Sequence, residues 1–214
     1  GLALAVQGRI LLSQNDWDQA DPTLQRALRI SEKTKGADNP ENTEELAMLM
    51  GVSLGKGDNA RAGDYAKRVL TISEKAFGSD NPRVASALNN LATVYRAGKR
   101  YAEAHALYER ALLNIEKSLG RDNPEYAKML NNHAFLHDAQ GQFKEAEALF
   151  RQALAIDDKA LGPTHPESAA LAINLCGNLA AQNRPAEAEP FCRRALGVWE
   201  KTYAAGHPQL AGAA

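Results

Sequence analysis

His133 and His137 stand four residues apart in "NNHAFLHDA", a spacing that on a helix can turn two imidazoles toward one metal ion. The rest of that chemistry is missing. No Glu follows His133 as H-E-x-x-H requires, and Asp138 beside His137 points another way on a helix. Leu91 and Tyr95, 42 residues earlier, are core-type, so a semi-buried histidine pair standing in for core residues is expected. His105 reads the same way, while His165 and His207 read as helix-start residues. There is no G-x-S-x-G elbow, no Gly-rich phosphate loop and no recurring carboxylate dyad. The expectation is a non-catalytic protein without metal or cofactor. Cys176 and Cys192 are too few for a disulfide framework or a zinc cage. They read as two small buried side chains, with a bridge across a helical hairpin left open.

The asparagines carry the other chemical signal. "ALNNLATVY" places Asn89 and Asn90, and "KMLNNHAFL" places Asn131 and Asn132, in the middle of apparent helices. A short amide competes for nearby backbone groups, so it is a poor residue there. A primary amide does, however, offer a donor and an acceptor together, matching the alternating N–H and C=O groups of an extended peptide.

Composition removes several classes. The 214 residues are 44% hydrophobic and 24% charged, and 25 Lys and Arg nearly cancel 26 Asp and Glu. No basic cluster marks a nucleic-acid partner. No apolar run approaches the ~18 residues that cross a membrane. "GLALAVQGRILL" lacks a basic lead and an A-x-A-like cleavage site, and reads as an amphipathic helix. The cytoplasm is favoured, with periplasmic and secreted locations left open.

Repeats set the elements. Pro40, Pro82, Pro124, Pro166 and Pro208 are spaced by 42 residues, each after Asn or His. Ala20, Ala62, Ala104, Ala146 and Ala188 keep the same register, as do Leu28, Leu70, Leu112, Leu154 and Leu196. Within one unit, Leu88, Leu91, Ala92 and Tyr95 share a helical face, and Ala104, Leu107, Tyr108, Ala111 and Leu112 share a second. Asn15, Gly57, Gly141 and Asn183 punctuate the halves, with a break at Lys99 and Arg100, where a left-handed C-cap reverses the chain. A column of Glu32, Glu74, Glu116, Asp158 and Glu200 beside a lysine column reads as a solvated face with local ion pairs. Trp17 and Trp199 read as packing residues. One hairpin cannot bury its apolar face alone, so neighbours must stack.

The stretch "NNLATVYRAGKRYAEAHALYERALLNIEKSLGRDNPEYA" resembles the tetratricopeptide repeat, and its 42-residue length with "LG…(N/H)P" connections is similar to kinesin light chains and many bacterial repeat proteins. The resemblance implies an all-α, right-handed superhelical solenoid of about five repeats, near residues 1–42, 43–84, 85–126, 127–168 and 169–210. One solenoid domain over 1–214, a fragment of a longer array, is expected. The family's small position eight is matched by Gly8, Ala92, Ala134 and Cys176, but not by Met50. Asn59 and Pro185 break the aromatic column of Trp17, Tyr101 and Phe143, so looser packing is expected in the second and fifth units.

By the same resemblance, the first helices line a concave groove. The residues carried onto it are Asn89, Asn90, Thr93, Arg96, Lys128, Asn131, Asn132, Phe135 and Asn174. Asn90, Asn132 and Asn174, one per repeat, would form a ladder that holds guest backbone. The resulting expectation is an interaction scaffold that takes an extended peptide or partner protein in the groove. Two other readings are a sensor arm of a larger enzyme or signalling protein, and a module that self-associates through uncapped terminal repeats.

Overall fold

The computed structural model describes residues 1–202. His207, Pro208 and the helix start expected in "GHPQLAGAA" lie outside the described residues. Among the described residues ten helices follow one another: α1 (Leu2–Ser13), α2 (Trp17–Lys35), α3 (Asn42–Gly55), α4 (Asn59–Phe77), α5 (Pro82–Ala97), α6 (Tyr101–Leu119), α7 (Pro124–Ala139), α8 (Phe143–Ala160), α9 (Pro166–Ala181) and α10 (Pro185–Thr202). Among the described residues there is no strand. The all-α, helix-turn-helix repeat architecture expected from the 42-residue comb is present. The chain divides into two compact units, Gly1–Asn114 and the part from Ile115 onward.

The punctuation acts as the residue types dictate. Asn15, Gly57, Lys99, Gly141 and Asn183 all have positive φ, so the chain reverses at every expected turn. Asn81 and Asn123 cap α5 and α7 by accepting from the backbone N–H of Arg83 and Glu125. His165 caps α9 the same way, its Nδ1 accepting from the Glu167 N–H at 3.2 Å. The prolines after these caps take the first helical position, where no amide proton is needed. The first of the series differs: α3 starts at Asn42, two residues after Pro40.

In the first unit, Ala20, Leu24 and Leu28 of α2 pack with Leu46, Leu49 and Val52 of α3 and with Val69 and Ile72 of α4. The departure at Met50 has a physical counterpart across the hairpin. Gly8 faces Leu24 so closely that a Cβ on Gly8 would lie 2.3 Å from Leu24 Cδ2. In the next repeat the same two positions hold Met50 and Ala66, and Met50 packs on the cluster containing Ala66. Volume is exchanged across the pair. Gly8→Ala is therefore expected to cost about 1–3 kcal/mol by overpacking against the fully buried Leu24. The double variant Gly8→Ala/Leu24→Val should recover most of that loss in urea unfolding, and an unchanged single variant would refute the close fit. At Asn59, where the aromatic column is broken, a recess of about 440 Å³ opens beside Gly63, Val94 and Tyr95.

The acidic column does more than face solvent. Glu32 pairs with Arg68 and Glu74 with Arg110, each arginine coming from the following repeat. In the second unit, Asp158 receives Arg194 Nη1 at 2.9 Å in the same way. The lysines look back instead: Lys75 bonds Asp38 and Lys159 bonds Asp122, both at 2.7 Å. Within the first unit α2, α4 and α6 are thus tied in succession by charge, and within the second α8 and α10.

Candidate functional site

In the first unit the first helices of the repeats are α1, α3 and α5. Arg9 of α1 pairs with Glu44 of α3. On α5 the two amides diverge. Asn89 is 6% exposed and turned into the helix packing, whereas Asn90 is half-buried and makes no side-chain hydrogen bond among the described residues. Thr93 is held by the scaffold: its hydroxyl donates to the Asn89 carbonyl at 3.0 Å and lies 3.1 Å from the Tyr108 hydroxyl. Burial raises the Tyr108 phenol above its usual range, against Thr93 and the nearby half-buried Arg96, which lower it.

In the second unit, α7 and α9 bring three of the expected amides together. Asn174 Nδ2 donates to Asn131 Oδ1 at 2.9 Å, and Asn131 Nδ2 lies 3.4 Å from Asn132 Oδ1. All three are half-buried. The Asn174 carbonyl oxygen and its second amide hydrogen stay outside that bond. Lys128 is exposed, its Nζ 3.6 Å from Glu125. Phe135 is half-buried and meets Phe150 edge-on at 5.2 Å. Further along α7, Asp138 accepts from Asn178 Nδ2 at 2.7 Å, and burial raises its carboxyl despite that bond. His133 is buried and His137 half-buried, with their rings 5.0 Å apart.

Sequence reasoning missed one group. Asp157 of α8 is 5% exposed and lines a recess of about 220 Å³ with Glu125, Lys128 and Asn131 of α7 and Glu167, Ala170 and Leu171 of α9. Its Oδ1 has no hydrogen-bond partner among the described residues. A signal was available: the register that holds Ser31, Ser73 and Ile115 holds a carboxylate here. Trp199 takes that register in the last repeat and is buried.

Cys176 and Cys192 are joined in a disulfide, with Cα atoms 5.5 Å apart. They occupy the positions held by Gly8 and Leu24 in the first repeat, which explains why the two side chains meet across the α9–α10 hairpin. No helix among the described residues is long and apolar enough to cross a membrane.

The tetratricopeptide repeat profile matches residues 42–114, 99–159 and 125–175, with related tetratricopeptide profiles matching 3–38 and 169–209. The chain belongs to the tetratricopeptide repeat family, a fold that typically serves as a non-catalytic scaffold for protein interactions. No curated protein matches significantly. Solved structures share the fold. Nearly identical repeats of a putative kinesin light chain from Podosopora anserina align with a TM-score of 0.72 at 24% identity, over 94% of each chain. A Rap protein complexed with competence and sporulation factor gives 0.77 at 18%, over 92% of this chain and 53% of that one. PlcR of Bacillus thuringiensis, in complex with the peptide PapR7 and DNA, gives 0.69 at 18%, over 94% and 69%.

Proposed function

We propose that the protein is a non-catalytic scaffold whose units each bind an extended segment of a partner protein on the inner faces of their first helices. The observation that carries this reading is the amide cluster of Asn131, Asn132 and Asn174, half-buried on two neighbouring first helices, in which the Asn174 carbonyl oxygen stays outside the Asn174–Asn131 bond. Asn90 on α5 supports it, being half-buried and unbonded among the described residues. Asn89 and Thr93 act behind the surface and hold α5. Lys128, Phe135 and Arg96 supply charged and apolar side-chain contacts around the amides. The Rap protein complexed with competence and sporulation factor, and PlcR in complex with the peptide PapR7 and DNA, lend the reading further support.

Three net hydrogen bonds give about 3 kcal/mol, short of the roughly 4.1 kcal/mol of even a millimolar complex. Amides therefore fix the guest backbone, and side-chain recesses must add affinity and choice. Selection of binding peptides from a random display library tests the reading. Asn132→Ala/Asn174→Ala is expected to weaken the selected peptides about tenfold, through loss of two net hydrogen bonds, with the thermal midpoint within a few degrees of the parent. A large fall in stability at unchanged affinity would make the amides structural.

A second reading rests on α1, where Leu2, Val6 and Ile10 are 82%, 47% and 52% exposed along one face. Such a stripe favours contact with another copy of the chain. Sedimentation over a range of concentrations decides it, a monomer throughout being the adverse result.

A further inference from the structure

Asp157 sits at a position where the fold provides no donor. At the same register in the first repeat, the Ser31 hydroxyl donates to Asn42 Oδ1 at 2.7 Å, and both groups are buried. Eleven residues after Asp157, as Asn42 is after Ser31, stands Ser168, and its hydroxyl is spent on the Gly162 carbonyl at 3.0 Å. Asp157 Oδ1 is left buried without a bond. A buried anionic oxygen without a donor is costly, so the arrangement is complete only when a donor arrives from outside.

The recess above Asp157 defines that donor. Its charged walls are Glu125 and Glu167 against the single Lys128, which already leans on Glu125. With Asp157 this leaves carboxylates in excess. Pro124, Ala170 and Leu171 add apolar wall, suited to the methylene stem of a long side chain. Asn131 stands at the recess and belongs also to the amide pair with Asn174. A side chain entering the recess would therefore come from a guest lying on those amides.

We propose that the recess formed by α7, α8 and α9 is a specificity subsite for a basic side chain, arginine above all, of the bound segment. The guanidinium reaches Asp157 and Glu167, and its planar fork of donors fits carboxylates better than a point-charge ammonium does. This rests on the groove reading above for its guest, but the subsite can be tested without one.

The probe is acetyl-Gly-Arg-Gly-amide, with the norleucine tripeptide as control, titrated into the full chain near neutral pH while backbone amide resonances are followed. The arginine peptide is expected to shift Lys128, Asn131, Asp157 and Ala170, and to bind at least about tenfold more tightly than the norleucine peptide, as desolvated charge pairs do. Asp157→Asn should bring both peptides to the same level while the resonances outside α7–α9 stay in place. Equal shifts from both peptides, no shift at the highest soluble concentration, or no effect of Asp157→Asn overturns the proposal. So does calcium chloride moving the same resonances at lower concentration than the arginine peptide, which would make the recess a metal site.

The display library separates this idea from the wider one. Binders enriched in arginine for the parent but not for Asp157→Asn support the subsite. Binders without basic enrichment overturn the subsite alone. A library without binders overturns the groove reading, and the tripeptide titration still decides the recess.

Discussion

Asp157→Asn is expected to stabilise the second unit near neutral pH and to flatten its response to pH between about 4 and 6. Burial pushes the Asp157 carboxyl up to about 6, from 3.8, with Glu167, Asp158 and the more weakly felt Glu125 adding repulsion and His165 opposing it. Lys128 is the cation among the groups lining the recess. A carboxyl whose pKa is raised by folding binds more protons in the native state than in the unfolded one. Stability therefore falls as pH rises from 3.8 toward 6, and the full penalty is present above that window. A shift of that size corresponds to about 3 kcal/mol. The amide of Asn keeps unpaired polar atoms in the same place, so a gain of about 2 kcal/mol is the expected result. Urea unfolding across that pH range, parent against variant, provides the measurement. A parent-minus-variant difference in stability that climbs through the window would contradict the burial of an unbonded carboxylate.

Removing the Cys176–Cys192 bridge gives the second large effect. The two residues are separated by 16 positions, and a loop of that size corresponds to about 3 kcal/mol of stabilisation in the chain-entropy account. Cys176→Ala/Cys192→Ala is the cleaner variant, because Ala92 and Ala134 already occupy the register of Cys176 in other repeats, both fully buried. The loss should be local. Repeat proteins gain stability from each unit and its neighbours, so α9 and α10 open first while the helices of the first unit keep their protection. Hydrogen exchange resolved along the chain checks this, comparing oxidised, reduced and double-alanine forms. Uniform loss of protection over all ten helices would show that the bridge acts globally.

Both effects arise from side chains that the repeat comb passes over. Asp157 stands next to Asp158 of the acidic column, yet Asp158 reaches Arg194 while Asp157 is buried among the first helices. The two carboxylates are neighbours in sequence and have opposite environments, because successive helical residues point about 100° apart. Asn131 and Asn174 show the same limit from the other side. Their helical faces were legible, but the bond from Asn174 to Asn131 joins residues 43 positions apart and depends on the packing of α7 against α9.

By itself the amino-acid sequence determined the helices, their turns and their stacking by repeats. These follow from local causes: apolar residues at helical spacing, Asn or Gly where φ must be positive, and Asn-Pro or His-Pro at helix starts. The interaction class came with the repeat. Only the tertiary structure decided which polar groups meet a partner and which are left without one. That outcome depends on how closely distant segments approach one another, as at Gly8 and Leu24, Cys176 and Cys192, and the unbonded oxygen of Asp157. Periodicity fixes the register of such pairs, but close packing decides whether each contact is volume, covalent bond or vacant donor site.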